Sequence, residues 1–431
     1  MMNQRFIYLT ILLFTGSAFI SCDAIFNTKQ DSTTDEIFRE GRIDPELEKI
    51  DGYTAIVPFW DGFDQPTDVF VGFDGFVYVT DAVGVHALDR ADIAPRRTIE
   101  LPGAVSVTQD RLLNLYVAAR YDTVITDVDP DIEWNLAAVY KIKNLNGAGE
   151  IVFQDTLIQP FLDASRSTRA SRQFRLDRSR ADNEELVEIT GVTALADNSI
   201  YLSRRGPRNN LTAIEAPDNT ILEFTQVIVD GIKTQKMRNV RQIRSLNPTT
   251  PSLTSSIGVS DIISFVSPPQ RDVFTNDRSF LLSQVPGERE IPFKVLQINV
   301  VETPDGIIFE PNFEFLVRDT TQTDGFLYEE FKFDRPAGLA FAGDASRFIF
   351  VIDAGQNRLF QFQANGQEGV DPPAGAADRR KKLIVSFGGL GSGPRQFNNP
   401  SGVAYFEQVV YVADKGNNRI ARYKLSSDFE N

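Results

Sequence analysis

Two stretches near the C-terminus of the chain repeat one another, and this self-similarity restricts the fold more than any other feature of the sequence. Residues 333–362 and 397–423 each contain a proline-led turn, an apolar strand that ends in Asp, and an Asn-Arg element before a further strand. Residues 63–88 repeat the first half of this pattern and lack the Asn-Arg element. A unit of this size cannot bury both of its faces alone, so the pattern predicts copies packed side by side.

Three weaker copies bring the number of predicted units to six. They begin near Leu101, Ile189 and Ile257, and an apolar strand follows each start. Six starts between residues 53 and 425 correspond to roughly 60 residues per unit, which is more than four short strands need. We assign the excess to loops at 122–135 and 160–185. A seventh unit hidden within residues 122–190 is the alternative.

The last copy resembles a known repeat. Residues Pro400 to Ala404, Tyr411 to Asp414 and Asn417 to Ile420 are similar to the NHL repeat, which forms one four-stranded blade of a β-propeller. The copy at 333–362 matches this pattern well, and the remaining copies are degenerate. The resemblance, to six-bladed propellers of the NHL and TolB-like type, implies an all-β fold with six blades, and seven blades is the runner-up.

The order of the repeats also predicts how the ring closes. The last copy ends at Leu425, soon after its third strand, and therefore lacks an outer strand. Residues 53–60 precede the first copy in the same way that residues 383–389, the expected outer strand of the fifth unit, precede the last one. We expect the N-terminal strand to supply the missing fourth strand, which would remove an exposed edge.

The chain's single cysteine, Cys22, ends an N-terminal apolar run. Residues 6–20 are too few and too interrupted to span a bilayer, which takes about 20 apolar residues. Residues 19–22 resemble the lipobox of bacterial lipoproteins, although Phe19 stands where leucine is usual. This resemblance implies a signal peptide over residues 1–21 and acylation of Cys22 by fatty acids such as palmitate. An ordinary secretory signal that ends near a cysteine is the alternative.

The segment after the cysteine is polar. Residues 22–52 show no strand period, and their composition predicts a flexible, acylated tether. The NHL-like propeller domain would then occupy residues 53–431. The lipoprotein resemblance implies a protein of the bacterial cell envelope that its lipid anchors to a membrane, either in the periplasm or at the cell surface.

Composition excludes several classes of function. The net charge of −15 argues against a nucleic-acid partner, because binding to phosphates requires a basic surface, and it favours a monomer. The single histidine, His86, cannot build a zinc site of several histidines. It lies in an alternating stretch, residues 83–88, so we interpret it as a strand residue and not as a catalytic base. We predict no catalytic and no metal-binding residues.

An aspartate that ends the second strand of a unit recurs as Asp81, Asp353 and Asp414. Short carboxylates accept hydrogen bonds from the turn that follows them, so we interpret these residues as structural. Arg358 and Arg419 are their candidate ion-pair partners. A ring of carboxylates on one face could instead bind calcium, the one cofactor we consider. In the other units our alignment places Ala119, Arg204 and Ser283 at this position.

A run of arginines stands out in this acidic protein. Intervals of three residues separate Arg166, Arg169, Arg172 and Arg175, and Arg178 and Arg180 lie beyond them. We interpret the run as a solvated insertion whose arginines meet acidic neighbours. The alternative is a docking patch for an anionic partner, such as lipid headgroups, a polysaccharide or an acidic protein.

These features favour a lipid-anchored propeller of the cell envelope that binds a protein, a peptide or a glycan. The shortage of cysteine and histidine argues against most catalytic sites, so an enzyme is the less favoured interpretation. The alternative is a calcium-dependent lactonase or esterase, because six-bladed propellers include such hydrolases. That activity would require Glu, Asp and Asn side chains to converge at the mouth of the channel.

Overall fold

In the computed structural model of the protein, the described residues form six four-stranded antiparallel sheets and very little helix. The described residues are 52–90, 95–143, 152–158, 165, 171–176, 184–211, 215–229, 232–269, 277–372 and 379–425. The predicted signal peptide, Cys22 and nearly all of the predicted tether lie outside this set. None of the described helices is long and apolar enough to cross a membrane.

Five of the six sheets are continuous in sequence, and the last one recruits the first strand of the domain. Strand Tyr53–Ala55 (β1) comes first in the chain. Blade 1 contains Asp68–Val71 (β2), Val77–Thr80 (β3), Gly84–Leu88 (β4) and Pro95–Glu100 (β5), and blade 2 contains Ser106–Gln109 (β6), Leu115–Ile125 (β7), Ile132–Lys143 (β8) and Val152–Ile158 (β9).

The next two blades have the same build. Helix Arg172–Leu176 (α1) lies between blades 2 and 3 in the chain. Blade 3 contains Glu188–Ala194 (β10), Ile200–Arg205 (β11), Thr220–Val229 (β12) and Ile232–Gln242 (β13), and blade 4 contains Val259–Ser264 (β14), Phe280–Gln284 (β15), Val295–Thr303 (β16) and Gly306–Pro311 (β17). A short 3₁₀ helix, Phe313–Leu316, follows blade 4.

The last two blades carry the clearest sequence repeats. Blade 5 contains Pro336–Phe341 (β18), Ile349–Asp353 (β19), Arg358–Phe362 (β20) and Phe387–Gly388 (β21), and blade 6 contains Gly402–Phe406 (β22), Val409–Asp414 (β23), Arg419–Leu425 (β24) and β1. A 3₁₀ turn, Lys415–Asn417, joins β23 to β24.

The first strand of every blade contacts the first strands of its two neighbours, and the contact between β22 and β2 completes the circle. The sheets therefore form a closed six-bladed ring whose innermost strands are β2, β6, β10, β14, β18 and β22. This arrangement confirms the predicted six-bladed propeller and excludes the seven-bladed alternative.

The prediction that residues 122–135 form a loop is wrong. Strands β7 and β8 pair continuously from Leu115 with Ile142 to Ile125 with Ile132, so most of this segment is the tip of a long β-hairpin. Much of the sequence there alternates polar and apolar residues, and this alternation is compatible with a β-hairpin. The described part of residues 122–190 otherwise supplies strands to blades 2 and 3, not a blade of its own.

The predicted closure by the N-terminal strand is confirmed. Strand β1 pairs with β24 from Tyr53 with Leu425 to Ala55 with Tyr423. Five residues later, Trp60 exchanges two backbone hydrogen bonds with Ile420, of 2.8 and 3.1 Å. The Trp60 side chain is 1% exposed, and the Arg422 guanidinium lies 4.7 Å from the centre of its ring. The two chain ends are thus held together by strand pairing and by a buried aromatic side chain.

Aromatic and aliphatic side chains fill the spaces between blades. Phe350 of blade 5 stacks on Tyr405 of blade 6 with ring centres 5.3 Å apart. Tyr201 of blade 3 meets Phe280 of blade 4 at 5.1 Å. Both faces of the sheets are buried in this way, which is why their strands are apolar on two sides and do not alternate strictly.

We predict that removal of the closing segment destabilises the ring. A chain that begins at residue 61 loses β1 and the buried Trp60. Its free energy of unfolding should fall by more than about 3 kcal/mol, the lower end of the cost of truncating a buried tryptophan. Urea denaturation measures this quantity. A chain that begins at residue 52 is the matched control and should keep the denaturation midpoint of the full chain; equal midpoints for the two shortened chains would contradict closure.

Candidate functional site

A cavity of about 400 Å³ lies on the axis of the ring, at the face where the innermost strands begin. Every blade contributes one residue at the same position of its inner strand. These equivalent residues are Thr67, Val105, Thr190, Ser260, Ala337 and Ser401. The volume of the cavity falls in the range of pockets that hold small ligands. The cavity is therefore the candidate site.

Four of these six residues carry hydroxyl groups that fasten one blade to the next. Each hydroxyl donates to a backbone carbonyl at the start of the following blade. The bonds run from Thr67 to Ala104 (2.9 Å), Thr190 to Val259 (3.0 Å), Ser260 to Pro336 (2.7 Å) and Ser401 to Pro66 (2.7 Å). Val105 and Ala337 have no hydroxyl, so this bond is missing between blades 2 and 3 and between blades 5 and 6.

The next residue along each inner strand forms a second, narrower ring. Its members are Asp68, Ser106, Gly191, Asp261, Gly338 and Gly402. The two aspartates and the serine line both the main cavity and a smaller cavity of about 50 Å³ beyond it. They therefore form the neck of the channel.

The two aspartates are bonded in the same way. Asp68 accepts the N–H of Val69 (2.8 Å) in its own blade and that of Val107 (3.0 Å) in blade 2. Asp261 accepts the N–H of Ile262 (2.8 Å) and, from blade 5, that of Leu339 (2.8 Å). Each carboxylate thus satisfies two backbone donors and joins two blades.

Glycines make room for these carboxylates. A Cβ atom on Gly402 would lie 2.7 Å from Asp68 Oδ1, and one on Gly191 would lie 2.7 Å from Asp261 Oδ1. Any side chain at these two positions would collide with the neighbouring carboxylate. The pattern of aspartate and glycine around the neck is therefore set by packing.

Burial raises the pKa of both neck carboxyls. Burial raises the pKa of Asp68 from 3.8 to about 7. Burial also raises the pKa of Asp261 well above its usual value, and the negative charge of Asp68 raises it further. The two residues belong to blades 1 and 4, which stand opposite each other in the ring. Near pH 7 the floor of the cavity therefore carries less negative charge than two ordinary aspartates would.

Charged side chains of the rim lie above this floor. Arg205 and Glu188 form an ion pair of 2.5 Å on the blade 3 side. Arg120 donates to the backbone carbonyls of Asn135, Glu185 and Val187, at 2.6 to 3.0 Å, so its guanidinium holds the wall of the cavity together. On the opposite side the cavity is lined by Arg335 and Lys415.

The aspartates that the sequence singles out lie outside the cavity. Asp81, Asp353 and Asp414 are at most 1% exposed, and each accepts backbone N–H groups from the turns around it. Arg419 donates to Asp414 at 2.8 Å. Arg358 donates to the carbonyl of Ser386 at 3.1 Å. Among the described residues, no three acidic, histidine or cysteine side chains come together as a metal site would require.

The alignment that places Ser283 at the aspartate position of blade 4 is off by one residue. Val259 pairs with Gln284 as Pro336 pairs with Asp353 in blade 5, and a β-bulge follows each pair. Gln284 Oε1 accepts the N–H of Ile257 at 2.8 Å, so an amide oxygen replaces the carboxylate. Strand β15 extends to Gln284, and only its pairing with β14 shows which residue stands at the aspartate position.

His86 lies in β4, as expected for a strand residue. Its Nε2 atom is 2.9 Å from Asp81 Oδ2, and its ring packs edge-on against Phe63 with centres 5.6 Å apart. The residue is 7% exposed and does not line the cavity.

Only two residues of the arginine run lie within the part of the chain that the structure describes. Arg166 and Arg169 lie outside the described residues, whereas Arg172 and Arg175 belong to α1. The carbonyl of Arg175 accepts the indole N–H of Trp134 at 3.1 Å, and Trp134 stacks on Phe174 with centres 6.5 Å apart. The helix therefore packs against the β7–β8 hairpin, whose base forms one wall of the cavity.

Comparisons with known proteins agree with the repeat analysis. Residues 397–423 match the NHL repeat family. A search of curated protein sequences found no match. The fold is assigned from the six sheets themselves.

Similar solved structures include three bacterial proteins. A protein of unknown function from Bacteroides thetaiotaomicron is 15% identical, with 87% of this chain and 76% of that chain covered and a TM-score of 0.45. Virginiamycin B lyase from Staphylococcus aureus is 12% identical (86% and 99% covered, TM-score 0.41). A gluconolactonase from Xanthomonas campestris is 9% identical (89% and 93% covered, TM-score 0.42).

The raised pKa of Asp68 predicts a pH dependence of stability. Between about pH 4 and pH 7 the unfolded chain releases this proton while the folded protein keeps it. The free energy of unfolding should therefore fall as the pH rises through this window, by up to about 1.4 kcal/mol per pH unit for one proton. In Asp68→Asn the group cannot titrate, so this decline should be shallower.

Urea denaturation at pH 5, 6, 7 and 8 tests this expectation. The variant loses one backbone hydrogen bond at every pH, so it should be less stable than the natural protein at pH 5 and approach it at pH 8. The exposed Asp305→Asn is the control and should leave the slope unchanged. Parallel profiles for the natural protein and Asp68→Asn would show that Asp68 has no raised pKa.

Proposed function

We propose that this protein is a lipid-anchored binding protein of the bacterial cell envelope and that its axial cavity holds the ligand. The supporting observation is the cavity itself, which all six blades line at the face where their inner strands begin. Its floor is made of buried, hydrogen-bonded groups, and its rim carries charged side chains. A rigid floor and a polar rim suit recognition of a ligand end that enters along the axis.

The cavity is built more like a binding site than like the active site of a hydrolase. Both oxygens of Asp68 and Asp261 accept backbone N–H groups, so these carboxyl groups are already engaged in joining blades and are less available as a base or a calcium ligand. The calcium-dependent lactonase or esterase remains the second candidate, because these two carboxylates are the acidic groups at the floor.

Side chains that fill the cavity should abolish binding. Val105 is 39% exposed and lines the cavity, so Val105→Trp places a large ring in the ligand space without displacing the core. Ala337→Leu fills the cavity from the opposite side. Binding of mixed peptide and oligosaccharide libraries to the purified full-length protein, detected by native mass spectrometry, should fall at least tenfold in both variants.

Val83→Trp is the matched control. Val83 is 43% exposed and does not line the cavity, so this change should leave binding intact. Ligands that bind Val105→Trp as well as the natural protein would place the site elsewhere. Lactone or ester hydrolysis that requires added millimolar calcium would support the hydrolase instead.

Anchoring rests on Cys22. In Cys22→Ser the acceptor for the acyl chain is absent, so metabolic labelling with a fatty-acid analogue should be lost and the protein should leave the membrane fraction. Ser21→Ala is the control, since a small residue before the cysteine should preserve processing. Continued labelling of Cys22→Ser would contradict lipid anchoring at this residue.

A further inference from the structure

The junction between blades 5 and 6 differs from the other junctions of the ring. Ala337 stands where other blades carry a hydroxyl, and Gly338 stands where blades 1 and 4 carry an aspartate. A Cβ atom on Gly338 would lie 2.8 Å from Gly402 Cα, so the two backbones touch directly. Ala337 is the small side chain that the inner strand of blade 5 contributes to the cavity wall here.

Two cations, Arg335 from the start of blade 5 and Lys415 from blade 6, line the cavity. The Lys415 ammonium makes no hydrogen bond or ion pair with any residue in the described part of the chain. Arg335 uses one terminal nitrogen, which donates to the carbonyl of Ala354 at 3.2 Å and to Asn399 Oδ1 at 3.3 Å. Its other two guanidinium nitrogens have no acceptor among the described residues.

Acidic groups of the cavity do not neutralise these cations. On the blade 3 side of the cavity, Glu188 forms an ion pair with Arg205. The oxygens of the neck carboxyls accept backbone N–H groups. The nearest acidic side chain in the sequence, Asp334, lies against Gly355 and does not line the cavity. The cavity therefore has a positive side at blades 5 and 6.

The rest of the wall is made of small aliphatic residues and hydroxyl oxygens. Ala337, Ala354, Val105 and Val285 offer apolar contacts. None of the described residues that line the cavity is aromatic, so none of these side chains offers a ring for a sugar to stack on. The hydroxyls of the inner ring already donate their protons to backbone carbonyls, so they present acceptor lone pairs to the cavity.

From this combination we infer that the cavity captures the C-terminal end of a peptide, with its terminal carboxylate held between Arg335 and Lys415. The carboxylate accepts from the two cations, the aliphatic wall contacts the last side chain, and the hydroxyl oxygens accept amide N–H groups of the preceding residues. This inference rests on the proposed binding function and specifies its ligand.

Two peptide libraries test the inference. Acetylated tetrapeptides randomised at the last three positions are prepared as free acids and as C-terminal amides, and each is offered to the purified full-length protein. Retained sequences are identified by mass spectrometry, and their dissociation constants are measured by calorimetry. We expect free acids to be retained and the corresponding amides to bind at least about tenfold more weakly.

Variants separate charge from structure. Lys415→Met and Arg335→Gln should each weaken binding of the selected free acid by about tenfold or more and should affect the amide little. Lys415→Arg keeps the charge and should restore most of the affinity. Lys381→Met is the matched control, because Lys381 pairs with the exposed Asp324 and does not line the cavity.

Each result decides the matter. Equal retention of acids and amides, with no effect of Lys415→Met, would overturn carboxylate capture and leave the proposed binding function standing. Binding of an oligogalacturonate without either peptide library would make the ligand a glycan and also overturn the inference. If neither the peptides nor the oligosaccharides bind, both this inference and the proposed binding function are wrong.

Discussion

Hydrogen bonds between side chains of one inner strand and the backbone of the next are the interaction on which this ring depends. Six strands converge on the axis, and each leaves backbone N–H and C=O groups that no strand partner can satisfy. Thr67, Thr190, Ser260 and Ser401 supply donors to the carbonyls, whereas Asp68, Ser106 and Asp261 supply acceptors to the N–H groups. Without these bonds, buried polar groups at the axis would be unsatisfied.

The same bonds explain the unusual state of the neck carboxyls. At the positions of Asp68 and Asp261, the carboxyl group offers one oxygen to an N–H of its own blade and the other to an N–H of the next blade. The burial of these carboxyls disfavours their charge and raises the pKa of both residues. A structural requirement of the ring thus produces a pair of titrating groups beneath the ligand cavity.

Departures from the repeat make the cavity asymmetric. Where blades 5 and 6 meet, alanine and glycine replace the side chains that hydrogen-bond neighbouring blades. Two other contacts hold these blades together: the direct contact between their backbones and the stacking of Phe350 on Tyr405. Arg335 and Lys415 line the cavity from these two blades. The asymmetry of the cavity therefore comes from the positions at which the repeat is degenerate.

The sequence by itself predicted six blades, with seven as the alternative, and it predicted their order and the closure by residues 53–60, because repeated strand patterns and turn residues are local signals. It also identified Asp81, Asp353 and Asp414, which recur at a constant place in the repeat. Only the tertiary structure brought together Asp68, Asp261, Arg335 and Lys415, which are far apart in the chain and carry no motif. It also decided the role of Gln284, because the pairing of this residue with Val259 is a contact between two strands. Local chemistry therefore sets the blades, whereas the cavity arises from positions that meet only when the ring closes.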